Sequence, residues 1–205
     1  MHTPRVLLIA VCLLVTPLLA PAAALAQDVG IVESAETINK GNFKIRGNPM
    51  FVFGENGEDN RTGIALLAGY GFTSRFDLEG GVAFYDDLTF LTGNAEFWLL
   101  KEAPIDVSAA GGLHHRFIDD ADGYSGIDLT FLASGHVNRR LELYGGLDLA
   151  FEGLGSDVEN FTTAHIVPGI EFKINDSIDL LAEFGAALTD SSRHYFSAGI
   201  AFYWR

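Results

Sequence analysis

Acidic residues and histidines gather in the segments that connect apolar stretches, and these residue types could perform acid–base or metal chemistry. Asp86 and Asp87 are adjacent, and Asp190 lies four residues before His194. General acid–base catalysis needs a base held within hydrogen-bond reach of its target, and neither spacing ensures such reach. We therefore expect solvated loop acids at these positions and no enzymatic activity.

Two further clusters contain residue types that bind metal ions. Residues 119–123 are rich in aspartate, but Ile118 and Leu129 stand where a calcium loop needs its first and last ligands. His114 and His115 are adjacent, and neighbouring strand residues point to opposite faces, so the two cannot hold one ion together. The sequence predicts no metal centre and no cofactor, with weak divalent-cation binding at the loop as the alternative.

The stretches between these segments alternate between apolar and acidic or small residues. Residues 75–85 set the pattern, and its charged step recurs at Asp106, Glu142 and Asp179. A period of two residues places successive side chains on opposite faces of a strand, so the pattern indicates β-strands. If the apolar face meets lipid, the other face lines a lumen. The lumen-lining candidates are then Asp77, Glu79, Glu96, Asp106, His114, Arg116, Asp128, Glu142, Asp148, Glu171, Lys173, Asp179 and Glu183.

The first 26 residues have the composition of a secretory signal peptide. Arg5 precedes an apolar run over residues 6–19, and Ala24 and Ala26 supply the small residues of a cleavage site before Gln27. Removal of this segment also removes the single cysteine, Cys12, and leaves 179 residues with 12 basic and 27 acidic side chains. Its formal charge of −15 excludes nucleic-acid binding through phosphate neutralisation.

Ten strands are predicted after a polar lead-in over residues 27–42. The first covers residues 43–53, where Pro49 predicts a bulge or an irregular edge because proline has no amide hydrogen. The others cover residues 62–72, 75–85, 89–100, 105–117, 126–137, 140–151, 161–174, 178–189 and 194–204. Four connections are tight and five, mostly longer, carry acids, so the two ends of the sheet differ, as they do in membrane barrels.

The last strand carries a short motif. Ser197 is followed by Gly199 and then by the alternate hydrophobic residues Phe202 and Trp204. This pattern resembles the C-terminal assembly signal of small bacterial outer-membrane β-barrel proteins of the porin-like and OmpA-type transmembrane superfamily, although Arg205 follows the final aromatic residue here. The resemblance implies an outer-membrane location, recognition by the barrel assembly machinery, and contact with outer-membrane lipid and lipopolysaccharide.

The predicted fold is all-β, a closed antiparallel transmembrane β-barrel of ten strands over residues 43–205. An eight-stranded barrel is the alternative. A soluble lipocalin-like barrel is disfavoured because the polar face is built from acids, glycine and alanine, with only four lysines in the mature chain, whereas soluble surfaces mix both signs of charge.

Ten strands place the lumen near the size that side chains can fill. We therefore expect a porin-like or envelope-structural protein with an acidic lumen. That lumen is either plugged by paired side chains or forms a narrow path for small cations and solutes. A surface-binding or adhesion protein is the alternative function, and an outer-membrane enzyme is a third.

Overall fold

The computed structural model describes residues 30–54, 59–101, 104–154 and 158–205. Ten antiparallel strands form one closed barrel, in which each strand pairs with its sequence neighbours and the first pairs with the last. The all-β, ten-stranded prediction is confirmed, and the eight-stranded alternative is wrong. The strands are β1 Phe43–Val52, β2 Arg61–Gly71, β3 Phe76–Tyr85, β4 Leu88–Leu100, β5 Asp106–Ile118, β6 Tyr124–His136, β7 Leu141–Leu154, β8 Phe161–Asn175, β9 Ile178–Ala187 and β10 Tyr195–Trp204.

The residue alternation places charged side chains inside the barrel and apolar side chains outside. In β1, Lys44 and Arg46 are buried while Phe43 and Ile45 are exposed. Thirty-two large hydrophobic side chains of the described residues are exposed in the same way. Soluble monomers rarely expose an apolar surface of this extent, so the lipocalin-like alternative is wrong. Among the described residues, no helix is long and apolar enough to cross a membrane.

Aromatic rings form a continuous row across five strands at the end of the barrel that has the short connections, called here the short-turn end. Outer-membrane barrels carry such rows of aromatic residues where the apolar band meets the polar interface. Neighbouring ring centroids in this row are 4.8–6.3 Å apart, and the row runs through Trp204, Phe43, Tyr70, Phe72, Phe76 and Phe97.

The irregularity expected at Pro49 is a gap in the pairing along one side of β1, and it is not a bulge. β1 pairs with β2 without any register shift. On the other side, β1 pairs with β10 in one register before and after a gap at Asn48 and Pro49. Proline has no N–H to donate to the ladder, and the Ser197 hydroxyl donates a hydrogen bond to the Pro49 carbonyl at 3.1 Å.

The residues of the C-terminal motif differ in their surroundings. Ser197 is buried against β1. A Cβ atom at Gly199 would lie 2.9 Å from Val32 Cγ1, so the wall needs a glycine there. Phe202 and Trp204 are both exposed on the outer face, where an assembly factor or lipid can reach them.

We predict that replacing both Phe202 and Trp204 with Ala lowers insertion into the outer membrane. The measurement is the amount of barrel that migrates differently on a gel with and without boiling. A matched control replaces Phe184 and Phe196, two exposed aromatic residues that face each other farther from the C-terminus. Equal losses in the two double variants would show that general apolar surface matters and the motif does not.

Candidate functional site: the barrel lumen

The barrel interior holds most of the charged residues that were selected from the sequence. Twelve of the thirteen lumen candidates are buried, and the Lys173 side chain is 31% exposed. Across the described residues, eleven carboxylate side chains are buried with only four lysine or arginine side chains, which are Lys44, Arg46, Arg116 and Arg193. Buried acids therefore outnumber buried cations, and the remaining carboxylates need other hydrogen-bond donors.

Residues 30–38 run inside the barrel and are called here the plug segment. Every residue of the segment is buried or half-buried. Lys40 bridges Gly71 at the end of β2, so the segment runs from its inner tip toward the short-turn end, where the chain turns back into β1. The sequence predicted residues 27–42 as a polar lead-in without assigning it a position. Residues 27–29 of that lead-in, and the predicted signal peptide, lie outside the described residues.

The carboxylate of Glu183 on β9 fixes the inner tip of the plug segment. Oε1 accepts hydrogen bonds from the Ile31 N–H at 2.9 Å and the Tyr195 hydroxyl at 3.0 Å. Oε2 accepts from the Val32 N–H at 2.6 Å and the Tyr144 hydroxyl at 3.0 Å. A buried carboxylate is costly unless it is hydrogen-bonded. The segment therefore supplies half of the donors that make Glu183 tolerable inside the barrel.

The backbone of the segment is bent to bring these two N–H groups to one carboxylate. Gly30 has a φ of 68°, and Val32 has a φ of 44°. Left-handed backbone is costly for a β-branched residue, by roughly 1–3 kcal/mol, and persists only where the surroundings enforce it. A Cβ atom at Gly30 would lie 2.7 Å from Glu183 Oε1. The position therefore needs glycine both for its φ and for its distance from the carboxylate.

A second group of charges joins the plug segment to β1 and β3. Arg46 donates through Nη2 to Glu79 Oε1 at 2.8 Å and through Nη1 to the carbonyl of Ile31 at 2.8 Å. Lys44 Nζ lies 2.9 Å from Glu33 Oε2 and 3.2 Å from Glu79 Oε2. These cations neutralise one wall carboxylate and one segment carboxylate at the same time. Charge-assisted hydrogen bonds of this kind are stronger than neutral ones.

Two more backbone N–H groups of the segment bind the wall. The Ile38 N–H donates to Asp77 Oδ2 at 2.6 Å, and the Ala35 N–H donates to Ser134 Oγ at 3.2 Å. The wall also makes room for the segment with glycine, because a Cβ at Gly146 would lie 2.7 Å from Ile31 Cδ1. The small interior residues of the strands did not indicate, from the sequence alone, that a segment of the same chain packs against them.

A separate charged cluster fills the lumen near the opposite end, called here the long-loop end. The His114 ring lies 2.9 Å from Asp128 Oδ2 through Nδ1 and 2.7 Å from Glu152 Oε2 through Nε2. Arg116 Nη2 donates to Glu152 Oε1 at 2.8 Å. Phe90 stacks on His114 with ring centroids 4.7 Å apart. This network crosses four neighbouring strands and leaves little open space among them.

Glu152 shows where the sequence reading was wrong. It was placed in a loop over residues 152–160, but β7 continues to Leu154 and turns Glu152 into the interior. Glu152 pairs with Gly126 and continues the alternation of buried side chains that begins at Glu142, and the register shift comes only after it. The predicted strand ended one residue too early, at residue 151, so Glu152 was counted with the loop acids. The partner of both His114 and Arg116 was therefore missed.

The connection between β9 and β10 folds inward over the long-loop end. Ser192 Oγ accepts from the Ala164 N–H at 2.8 Å and donates to the Ala164 carbonyl at 3.0 Å. His165 Nε2 lies 3.0 Å from the Arg193 carbonyl oxygen, and the side chains of His165 and Arg193 are buried. The lumen is thus covered by a loop at one end and filled by the plug segment at the other.

The loop residues considered for acid–base chemistry have local structural contacts. Asp87 Oδ2 lies 2.9 Å from Arg61 Nη2 in an ion pair. His194 Nδ1 accepts a hydrogen bond from the Ala187 N–H at 3.0 Å, and its ring stacks on Phe184. An accepting Nδ1 and a stacked ring hold this histidine in the strand connection. These contacts describe structural roles for both residues.

Two cavities adjoin the plug segment. One, of about 510 Å³, opens at the short-turn end and contacts Glu36, Lys44, Lys173 and Asp179 among others. The other, of about 40 Å³, lies deeper, between Gly30, Arg46, Phe90 and Asp128. The outer cavity has room for ions and water, whereas the inner one holds little more than a few waters.

Comparisons with known proteins identify the family to which this barrel is similar. A family model described as "Outer membrane protein beta-barrel domain" matches residues 8–201. The chain is similar in structure to the translocator domain of the autotransporter NalP from Neisseria meningitidis, at 12% identity, covering 78% of this chain and 87% of that one with a TM-score of 0.54. It is also similar to OprG from Pseudomonas aeruginosa, at 13% identity, covering 84% of this chain and all of that one with a TM-score of 0.41. The chain has no match among curated proteins.

We predict that Gly30→Ala releases the tip of the plug segment, because the new methyl group meets Glu183. The probe is Ala35→Cys, at a fully buried site, in a chain produced from Gln27 onward, which contains no other cysteine. Loss of the hydrogen bonds should cost about 1–3 kcal/mol, so thiol labelling should become about 5–150-fold faster.

Gly41→Ala is the matched control for this experiment. Gly41 also has a positive φ, 81°, but a Cβ there would meet nothing within 4 Å. The two substitutions share the backbone strain and differ in the contact with Glu183. If both accelerate labelling equally, backbone strain alone explains the effect and Glu183 does not hold the segment.

Proposed function

Because the chain belongs to the outer membrane protein beta-barrel domain family, and is thus a protein of the bacterial outer membrane, we propose that it is an envelope-structural barrel closed by its own plug segment. In this proposal the lumen gives no free passage to solutes while residues 30–38 are docked. The barrel then stiffens the membrane and presents its two ends without making the membrane leaky.

The observation that carries the proposal is the set of hydrogen bonds between the segment and the wall. The N–H groups of Ile31, Val32, Ala35 and Ile38 donate to three wall side chains, on β9, β6 and β3. Arg46 on β1 holds the carbonyl of Ile31 from the other side. The segment is therefore attached around the circumference of the lumen. Attachment to several strands distinguishes a plug from a tail that lies along one side.

The orientation follows from the lengths of the connections. Outer-membrane barrels have short periplasmic turns and longer extracellular loops, so we assign the short-turn end and both chain termini to the periplasm. Within the proposal, cleavage before Gln27 leaves a short N-terminal stretch that inserts into the lumen. Outer-membrane lipid and lipopolysaccharide surround the barrel, and the barrel assembly machinery inserts it.

A narrow cation-selective path is the second candidate function. The observation that favours it is the excess of buried carboxylates over buried lysine and arginine side chains among the described residues. If the plug segment withdraws, the carboxylates of Asp77, Glu79 and Glu183 face water, and rings of acids favour cations. The plugged barrel is preferred because those same carboxylates are bound by the segment or by Lys44 and Arg46.

Surface binding and enzymatic activity have weaker support. The connection before β10 folds back onto β8 through Ser192, so little of this connection is available to bind a partner. Asp87 and His194 are engaged in the local contacts described above. The proposal therefore assigns no catalytic role to the chain.

We predict that the mature protein has no sustained conductance in a planar bilayer, and that deletion of residues 30–38 creates a small conductance. Under a salt gradient the reversal potential of the deletion variant should have the sign of a cation-selective pore. Asp106→Asn with Glu142→Gln should reduce that selectivity, because both acids lie near the periplasmic mouth of the lumen.

Gel migration with and without boiling first establishes that the deletion variant is a folded barrel. A wild-type protein that conducts as well as the deletion variant would contradict the plugged barrel. A folded deletion variant without any conductance would show that side chains close the lumen unaided. Anion selectivity would contradict the cation path.

A further inference from the structure

Three potential metal ligands meet where the plug segment passes the periplasmic ends of β6 and β7. Glu36 belongs to the segment, His136 ends β6, and Glu142 lies at the start of β7. Their ligand atoms lie within 4.8 Å of one another. His136 Nε2 is 3.1 Å from Glu36 Oε1, and His136 Nδ1 is 3.3 Å from Glu142 Oε2. These two contacts use different ring nitrogens, so one zinc ion held at about 2.0–2.2 Å requires the ring to turn until one nitrogen faces both carboxylates.

Glu142 gives an independent indication that the cluster is incomplete. Its side chain is only 1% exposed, and neither carboxylate oxygen accepts a hydrogen bond of standard geometry from the described residues, although the Ser134 hydroxyl is a neighbouring donor. A buried carboxylate without such bonds is costly. His136 Nδ1 and Lys173 Nζ, at 3.3 and 3.9 Å, are its recorded ion-pair contacts.

The local charge also favours a divalent ion. Lys173 Nζ lies 3.2 Å from Glu36, 3.9 Å from Glu142 and 3.8 Å from Glu171. One ammonium group thus faces three carboxylates. A divalent cation between Glu36 and Glu142 would balance the remaining negative charge. Glu36 and Lys173 border the 510 Å³ cavity, so an ion can arrive from the periplasm.

We propose that Glu36, His136 and Glu142 bind a divalent transition-metal ion, Zn²⁺, and that this ion fastens the plug segment to the barrel wall. One imidazole and two carboxylates, with water as a fourth ligand, are a zinc-type donor set. Hard cations such as Ca²⁺ prefer oxygen ligands alone, so the histidine provides the selectivity. The half-exposed His136 ring turns to give one nitrogen to the ion, and Lys173 moves away. The inference rests on the docked segment of the proposed function.

The test is a titration of the folded mature protein with Zn²⁺ in detergent micelles, in competition with a chromophoric zinc indicator and without a histidine tag. One zinc ion should bind per chain. His136→Ala, Glu142→Gln and Glu36→Gln should each weaken binding by about tenfold or more, because even loss of groups outside the ligand shell costs 10–100-fold. Ca²⁺ should not compete.

Lys173→Met should tighten zinc binding, because it removes the cation that competes for the two carboxylates. Asp176→Asn is the matched control: it removes one negative charge at the same cavity from a residue outside the trio, and it should leave binding unchanged. A second readout is thermal unfolding, where Zn²⁺ should raise the midpoint of the wild type and not that of His136→Ala.

Zinc binding that survives His136→Ala, or that weakens with Lys173→Met, would overturn the site. Absence of one-to-one binding in the wild type would also overturn it and would assign His136 as a bridge between two carboxylates. In that case a wild type without conductance still supports the plugged barrel, so the two proposals fail separately. The half-exposed His136 ring is 48% accessible, so its substitution is compatible with folding even if Glu142→Gln is not.

Discussion

The carboxylate of Glu183 is the constraint on which the arrangement of the lumen depends. It lies on the inner face of β9, where an ion without partners would be several kcal/mol too costly. Tyr144 and Tyr195 on the wall provide two hydrogen bonds, and the N–H groups of Ile31 and Val32 provide two more. Wall and plug segment are therefore interdependent, since each satisfies polar groups that the other would leave buried and unpaired.

The same logic applies to the rest of the interior. Buried carboxylates outnumber buried lysine and arginine side chains among the described residues, so cations alone do not neutralise the lumen. Backbone N–H groups of the segment stabilise some of the remaining carboxylates by hydrogen bonding, as at Asp77. Near the long-loop end, beyond the tip of the segment, Arg116 and His114 take over this role for Glu152. The two halves of the barrel thus stabilise their buried carboxylates with different hydrogen-bond donors.

The sequence predicted the barrel well because alternation is a local property. Each strand shows its two faces through neighbouring residues, as Asp77 and Leu78 do, and ten such stretches suffice for the fold. Glu152 was missed because the predicted strand ended at residue 151, although Glu152 continues the regular alternation of β7. The assignment of Pro49 to an irregular edge followed from its chemistry alone.

The position of the plug segment could not be predicted from the sequence, for a physical reason. Residues 30–38 have no sustained period, and their partners are remote, with Ile31 bonded to a residue 152 positions away. Small residues on the inner strand faces, such as Gly146 and Gly199, indicated a crowded lumen. These residues did not indicate that a segment of the same chain occupies the lumen. Glu36 could be joined with His136 and Glu142 only after the segment had been placed.

The central claim is that the plug segment lies against the inner wall, and a cross-link tests it most directly. Ala35→Cys combined with Ser134→Cys joins two residues whose N–H and Oγ groups are hydrogen-bonded at 3.2 Å. Mild oxidation in outer membranes should close this disulfide and change the migration of the denatured, unreduced chain. Ala35→Cys with Ala133→Cys is the matched control, because Ala133 is exposed on the opposite face of β6. Efficient cross-linking of the first pair alone is the predicted result, and equal or absent cross-linking in both pairs would contradict the account.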